Sequence, residues 1–171
     1  MKRGRFQRRR KVHAQAGVAL VELAAILPIL FLLSFSAIEF AHALARYGAL
    51  VEQARLATRY LTGKVPGDGQ IEAKCLAVYG TATTTCSGTP LVEGMTLAQV
   101  TVIDASVEAS QATHRARSTG TDQNAVAVNL VTVRISGYSH TLIAGGILTG
   151  IFGNSANIAF SDISLTMRQQ L

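Results

Sequence analysis

The sequence predicts an α+β protein in which a long N-terminal helix, membrane-spanning in its first half, packs against a small and mainly antiparallel β-sheet domain. Three observations carry this. Gly17 to Ile38, GVALVELAAILPILFLLSFSAI, is a strongly apolar run with a single charge, Glu22. Helical periodicity then continues to Thr62, and from Leu97 the apolar residues recur every second position instead. The expected organisation is a basic leader over 1–17, a helix over 18–62 with its span at 18–38, and an α+β domain over 63–171.

The leader, MKRGRFQRRRK and its continuation to Gly17, holds seven of the sixteen Lys and Arg residues and no acid. From Val18 on there are nine basic and ten acidic residues, so the formal charge of +6 belongs almost wholly to the leader. Loops rich in Lys and Arg beside a span stay cytoplasmic, which places the leader inside and the residues after about His42 outside. The tail lacks interleaved aromatics apart from Phe6, so nucleic acid is not expected as a partner.

Val18 to Ile38 is 21 residues, and at about 1.5 Å per residue a helix of that length covers roughly 31 Å, the thickness of a hydrocarbon core. A backbone in lipid has to satisfy its own hydrogen bonds, so the stretch must be helical there. Pro28 removes one of those bonds and crowds the carbonyl of Ala24, which predicts a kink. The apolar run is longer than the core of a secretory signal. Ser34-Phe35-Ser36 and Ala41-His42-Ala43 are nevertheless passable leader-peptidase sites, and cleavage after Gly17, before the core, is the other possibility.

Beyond the span, AHALARYGALVEQARLATRYLTGK keeps a helical stripe of Leu44, Val51 and alanines opposite Arg46, Glu52, Gln53 and Arg59. Gly63 as a left-handed cap and Pro66 behind it are stop signals. Val18 to Thr62 as one helix would be about 67 Å long, more than a membrane needs, so its outer half is expected to pack on the domain. IEAKCLAVYG follows the turn cluster VPGDGQ as a short helix with Asp68 as its cap. Cys75 and Cys86 lie in the part placed outside, and an even pair so close together in an oxidising compartment reads as a disulfide.

Three strands are expected after that. Leu97 to Val107 alternates through Val100 and Val102, and EASQATHRARSTGTDQ reads as an unstructured polar connection. Ala125 to Ser136 shifts its apolar phase from Val126, Val128 and Leu130 to Val131, Val133 and Ile135, the pattern of a bulge or of a strand buried on both faces. Asn157 to Arg168 shifts likewise. Between them, Leu142 to Phe152 is apolar but broken by glycines, and serves as cover for the core or, if exposed, as a contact surface.

No catalytic constellation emerges. His13, His42, His114 and His140 are scattered, His114-Arg115-Ala116-Arg117 reads as a solvated loop, and no motif for a phosphate, dinucleotide, nucleophile or metal has its required setting. The expectation is a protein that is not an enzyme, with no cofactor and no metal.

The basic leader ending at Gly17, then VALVE, then LAAILPILFLLSFSAIEFAHALARYGALVEQARLATRYL, resembles the N-terminus of the TadE and TadF group of pilin-like proteins of the tight-adherence, Flp-type pilus system. That resemblance implies cutting after Gly17 by a membrane prepilin peptidase, Val18 as the new N-terminus, and Glu22 as the glutamate at its fifth position. It also accounts for Pro28 in the span and for Ile38-Glu39-Phe40 near its end. It implies a pilin-like architecture and a minor pilin or pseudopilin in the inner membrane or fibre. The implied partners are other pilin-like proteins, the assembly machinery, the peptidase and inner-membrane lipid. Physically, a freed amine on Val18 and the Glu22 carboxylate one turn later would relieve each other's cost in lipid and fix axial register between helices. The alternative is an uncut, single-pass anchored periplasmic binding module.

Overall fold

The computed structural model describes residues 6–107, 110, 113–117, 127–142 and 157–169, with side chains from Gly17 onward except those of Ala116, Arg117 and Ala127. The chain divides into two compact units, residues 1–42 and 43–171. Helix α1, Phe6–Thr62, contributes to both. It begins at Phe6, well before the expected start at Val18, and continues through Pro28 without interruption.

In the second unit, among the described residues, α1 is followed by α2 (Gln70–Tyr79) and by the strands β1 (Val100–Ile103), β2 (Arg115–Arg117), β3 (Ala127–Ile135), β4 (Ser139–Thr141), β5 (Asn157–Ala159) and β6 (Ile163–Arg168). Central β3 pairs antiparallel with β1, β2 and β6 in a four-stranded sheet, and β4 pairs with β5 in a separate ribbon. The fold is thus α+β, with a helix packed on a small antiparallel sheet. Every fourth or third residue of the outer part of α1, Leu50, Ala54, Ala57 and Leu61, is buried in one core with Ala73, Ala77 and Val78 of α2 and with Val131, Val133 and Ile135 of β3. Small alanines on both helices let their backbones come close to the branched side chains of the sheet.

Both expected helix caps are corrected. Gly63 is not left-handed. At the end of α1 the Lys64 N–H donates to Leu61 O at 3.1 Å, and from the far end of the chain Gln169 Nε2 donates to Leu61 O at 3.4 Å and to Lys64 O at 3.2 Å. Asp68 does not cap α2 either. Gly69, in the left-handed conformation, takes the capping position with no side-chain bond. At the other end of α2 the left-handed residue is Gly80, whose N–H donates to Leu76 O at 3.0 Å. A Cβ there would stand 2.9 Å from Leu91 Cδ1.

The strands also differ from expectation in their ends. The first is confined to β1, because Thr96 and Gln99 cap a 3-10 turn over Leu97–Gln99 and a second turn starts at Asp104. The supposed unstructured connection contains β2, whose Arg115 to Arg117 pair with Asn129 to Ala127. There is no bulge in β3 over Leu130–Ile135, where the register with β6 is unbroken. Its phase shift follows the other expected pattern, a strand covered on both faces: Val131, Val133 and Ile135 enter the core, whereas Val128, Leu130 and Thr132 lie on the other face, where His114 Nε2 sits 3.0 Å from Thr132 Oγ1. The third expected strand is two strands, β5 and β6, separated by residues 160–162, and this break accounts for its phase shift. Leu142 is half-buried, and residues 143–152 of the apolar glycine-broken stretch lie outside the described residues, as do residues 118–126.

Candidate functional site

The stretch with the clearest functional signal lies in the first unit. From Gly17 to Ile38 every side chain is exposed, including Val18, Leu23, Ile29, Phe31, Leu33 and Ile38. A helix apolar on all sides and uncovered by its own chain needs lipid or other helices around it. Among the described residues this is one helix long and apolar enough to cross a membrane, starting at Gly17 with a mean hydropathy of 2.5 in its richest window. Its length and composition suit a membrane anchor.

Gly17 and Val18 are adjacent on that helix and Glu22 stands about one turn further on, all three exposed. In the intact chain the Val18 nitrogen is a helical amide. Four residues separate it from Glu22, and side chains so spaced are neighbours about 5–6 Å apart on one helix face. A new amine at Val18 would therefore find a carboxylate one turn away. Beyond Gly17 a Cβ would meet nothing within 4 Å, so the backbone around the Gly17–Val18 bond is open on the side where a side chain would stand. Pro28 lies inside the helix, flanked by exposed Leu27 and Ile29.

The second unit holds its part of α1 by polar contacts at each end. Near the start, Arg46 forms an ion pair with Glu93 at 2.8 Å, and the Tyr138 hydroxyl donates to Glu93 O at 2.8 Å. Phe160 packs between Tyr47 and Tyr138, with ring centroids 5.8 and 5.5 Å away. Past the end of α1, Asp104 is 1% exposed and gathers four donors. Gly67 N–H (2.8 Å) and Gln70 Nε2 (2.9 Å) reach Oδ2, and the Ser106 N–H (3.0 Å) and hydroxyl reach Oδ1. Burial alone would raise its pKa, but the bonds from Ser106, Gly67 and Gln70 outweigh it and hold the carboxyl below the usual carboxylate range. Asp104 thus ties the α1–α2 turn to the end of β1.

Cys75, fully buried in α2, is disulfide-bonded to Cys86 with Cα atoms 5.0 Å apart. The bond pins the otherwise exposed loop 81–90 against the helix, next to the Leu91 N–H to Val78 O bond of 2.8 Å. Sequence reasoning found this pair. It missed Asp104 and Gln169, whose partners lie 34 to 108 positions away in the chain. No sequence spacing carries that information.

No group of three or more His, Cys, Asp or Glu among the described residues is placed to hold a metal. His140 is buried on β4 and His114 is half-buried beside Thr132, so the stretch from His114 is part of the sheet rather than a solvated loop.

With this geometry in place, comparison with known proteins adds one match: residues 17–59 fit the sequence model of the family described as TadE-like protein. Searches of curated proteins and of solved structures gave no match. The matched stretch opens at Gly17, takes in Glu22 and Pro28, and ends within the clamped part of α1.

Proposed function

We propose that this chain, TadE-like over residues 17–59, is a minor pilin or pseudopilin of a tight-adherence, Flp-type pilus assembly system. A prepilin peptidase cuts it after Gly17, leaving 154 of the 171 residues. The basic leader faces the cytoplasm, the span lies in the inner membrane, and the disulfide-bearing domain lies outside, a placement supported by the compartments in which disulfides persist. The observation that carries this reading is the coincidence of the TadE-like match with a helix whose every side chain from Gly17 to Ile38 is uncovered.

The protein acts through contacts and not through chemistry on a substrate. Cutting after Gly17 creates an ammonium on Val18 at the edge of the hydrocarbon. Glu22 neutralises it, within one helix or across to a neighbouring one, and each charge left alone in lipid would cost about 2.5–3.5 kcal/mol. A charge pair that must meet fixes the axial position of one helix against the next, the role for which buried polar groups are best attested. The clamped outer half of α1 ties that position to the domain.

Glu22→Ala tests this. The variant is expected to insert and keep its domain folded, since the exposed Glu22 lies outside the core, yet to lose crosslinks to pilin-like partners and to abolish piliation in a complemented deletion strain. Glu22→Asp should retain part of both. Normal piliation by Glu22→Ala at normal abundance would sink the assembly role.

A further inference from the structure

The loop that follows α2 is set apart by what it leaves free. Six of the ten residues at 81–90, TATTTCSGTP, are Thr or Ser, and residues 79–92 include no Lys, Arg, Asp or Glu. Thr81, Thr83, Thr84, Thr85, Ser87 and Thr89 are all exposed. Among the described residues, only the Thr83 hydroxyl of these six has a partner, donating to Thr85 O at 3.1 Å across a bend at Thr84 and Thr85. By contrast, Ser34 and Ser36 donate to Leu30 O and Leu32 O within α1, Ser106 donates to Asp104, and Thr101, Ser164 and Thr166 stand on paired strands.

The backbone of the loop is equally open. The Gly80 N–H before it donates to Leu76 O and the Leu91 N–H after it to Val78 O, but among the described residues no N–H or C=O of residues 81–90 pairs with another backbone group. A partner that takes an extended peptide grips its main-chain donors and acceptors, and those of a helix or a paired strand are already used. Cys86 is tied down by its bond to Cys75, so the loop is fixed at one point and presents Thr84 and Thr85 just before the tether. An uncharged run rich in Thr and Ser with a proline is the composition that carries O-linked sugar, and so bulky a group fits only where nothing packs. None of the four asparagines, Asn124, Asn129, Asn154 and Asn157, has Ser or Thr two positions on, so the chain lacks the signal for sugar on nitrogen.

We infer that the hydroxyls of this loop, those of Thr84 and Thr85 at its bend first, are acceptors of O-linked sugar. The donor is a sugar held as the diphosphate ester of a membrane lipid. The threonine Oγ1 attacks the anomeric carbon, and the new C–O bond forms as the bond from that carbon to the diphosphate oxygen breaks. The diphosphate leaves with the bonding pair, the hydroxyl proton passes to a base of the transferase, and nothing is oxidised or reduced. The sugar covers a tip of small polar residues that is otherwise a preferred point of proteolytic nicking. The inference rests on the placement of the second unit outside the membrane, where the donor meets the folded and disulfide-bonded chain.

The test uses the full chain purified from membranes of its native host. Trypsin and a glutamate-specific protease, cutting after Lys74 and Glu93, release residues 75–93 as one peptide that holds both cysteines and the whole loop. Mass spectrometry without reduction then reads the disulfide and any added sugar together. The expected peptide has bonded cysteines and carries hexose or N-acetylhexosamine, placed on Thr84 or Thr85 by electron-transfer fragmentation. The sugar should be lost in the Thr84→Val, Thr85→Val variant and kept in Thr84→Ser, Thr85→Ser, with the Cys75–Cys86 bond intact in both as the sign of a folded domain. Phosphate on the same hydroxyls, sugar confined to other peptides, or undiminished sugar on the valine variant would overturn the inference. A bare peptide with bonded cysteines overturns it alone, whereas free cysteines overturn it together with the outside placement.

Discussion

The two halves of α1 are built from similar residues and held in opposite ways. From Gly17 to Ile38 large apolar side chains point outward on every side, and from Ala43 to Thr62 one stripe, Leu50, Ala54, Ala57 and Leu61, is fully buried while Glu52, Arg55 and Arg59 face solvent. The difference lies in what each half leaves unsatisfied. The outer half has found its core within the chain; the inner half keeps its apolar surface for something else, lipid or another helix. A polar face accompanies the first arrangement and its absence marks the second.

The strongest way to break this comparison is to truncate equivalent leucines in each half. Leu50→Ala or Leu61→Ala should cost the domain about 2–5 kcal/mol, and Leu30→Ala close to nothing. All four tyrosines lie between Tyr47 and Tyr138 and there is no tryptophan, so tyrosine fluorescence during urea unfolding of the full chain in detergent reports the second unit alone. Equal losses at Leu30 and Leu50 would show that the inner half also belongs to the domain's core.

A smaller effect sharpens what holds the outer half. Opening the Cys75–Cys86 bond with Cys86→Ser should cost about 3 kcal/mol in the chain-entropy model, read by the same unfolding curve, and thiol labelling of the wild type without reductant should fail. Full labelling of protein from an intact envelope would contradict the pairing.

Smaller again, Asp104→Asn should cost about 1–3 kcal/mol, because an amide turns an NH2 toward donors that now meet a carboxylate oxygen. The same residue gives a pH signature. Its carboxyl is held below the usual range when folded, so its contribution is complete above the ordinary aspartate value of about 3.9 and is lost as pH falls through the lower folded value. The wild type should therefore lose stability in that acid window, and Asp104→Asn should lose less there. Parallel acid curves for the two would remove Asp104 from the clamp.

How much of this was legible in the sequence divides along the same line. The bare half was readable residue by residue, since hydropathy, length and the glycine-to-glutamate spacing are local properties. The end of α1 at Thr62, the short α2 and the cysteine pair were local too. The clamp was not. Gly63 reads as a cap until its backbone is seen not to be left-handed, with Gln169, 106 positions later in the numbering, reaching Leu61 O and Lys64 O. Ala125 to Ser136 reads as either bulged or covered on both faces because a one-dimensional pattern cannot tell a kinked strand from a straight one with both faces covered. The six residues of β6 hid inside a longer apolar run for the same reason.

The most direct test of the central claim, that the bare half is freed at Gly17 to serve as an assembly helix, is the intact mass and N-terminal sequence of the chain extracted from membranes of its native host. A mature chain of 154 residues beginning at Val18, that is 171 minus 17, is the predicted result. A chain that still begins at Met1, or one that begins near Ala37 or Leu44, would contradict it.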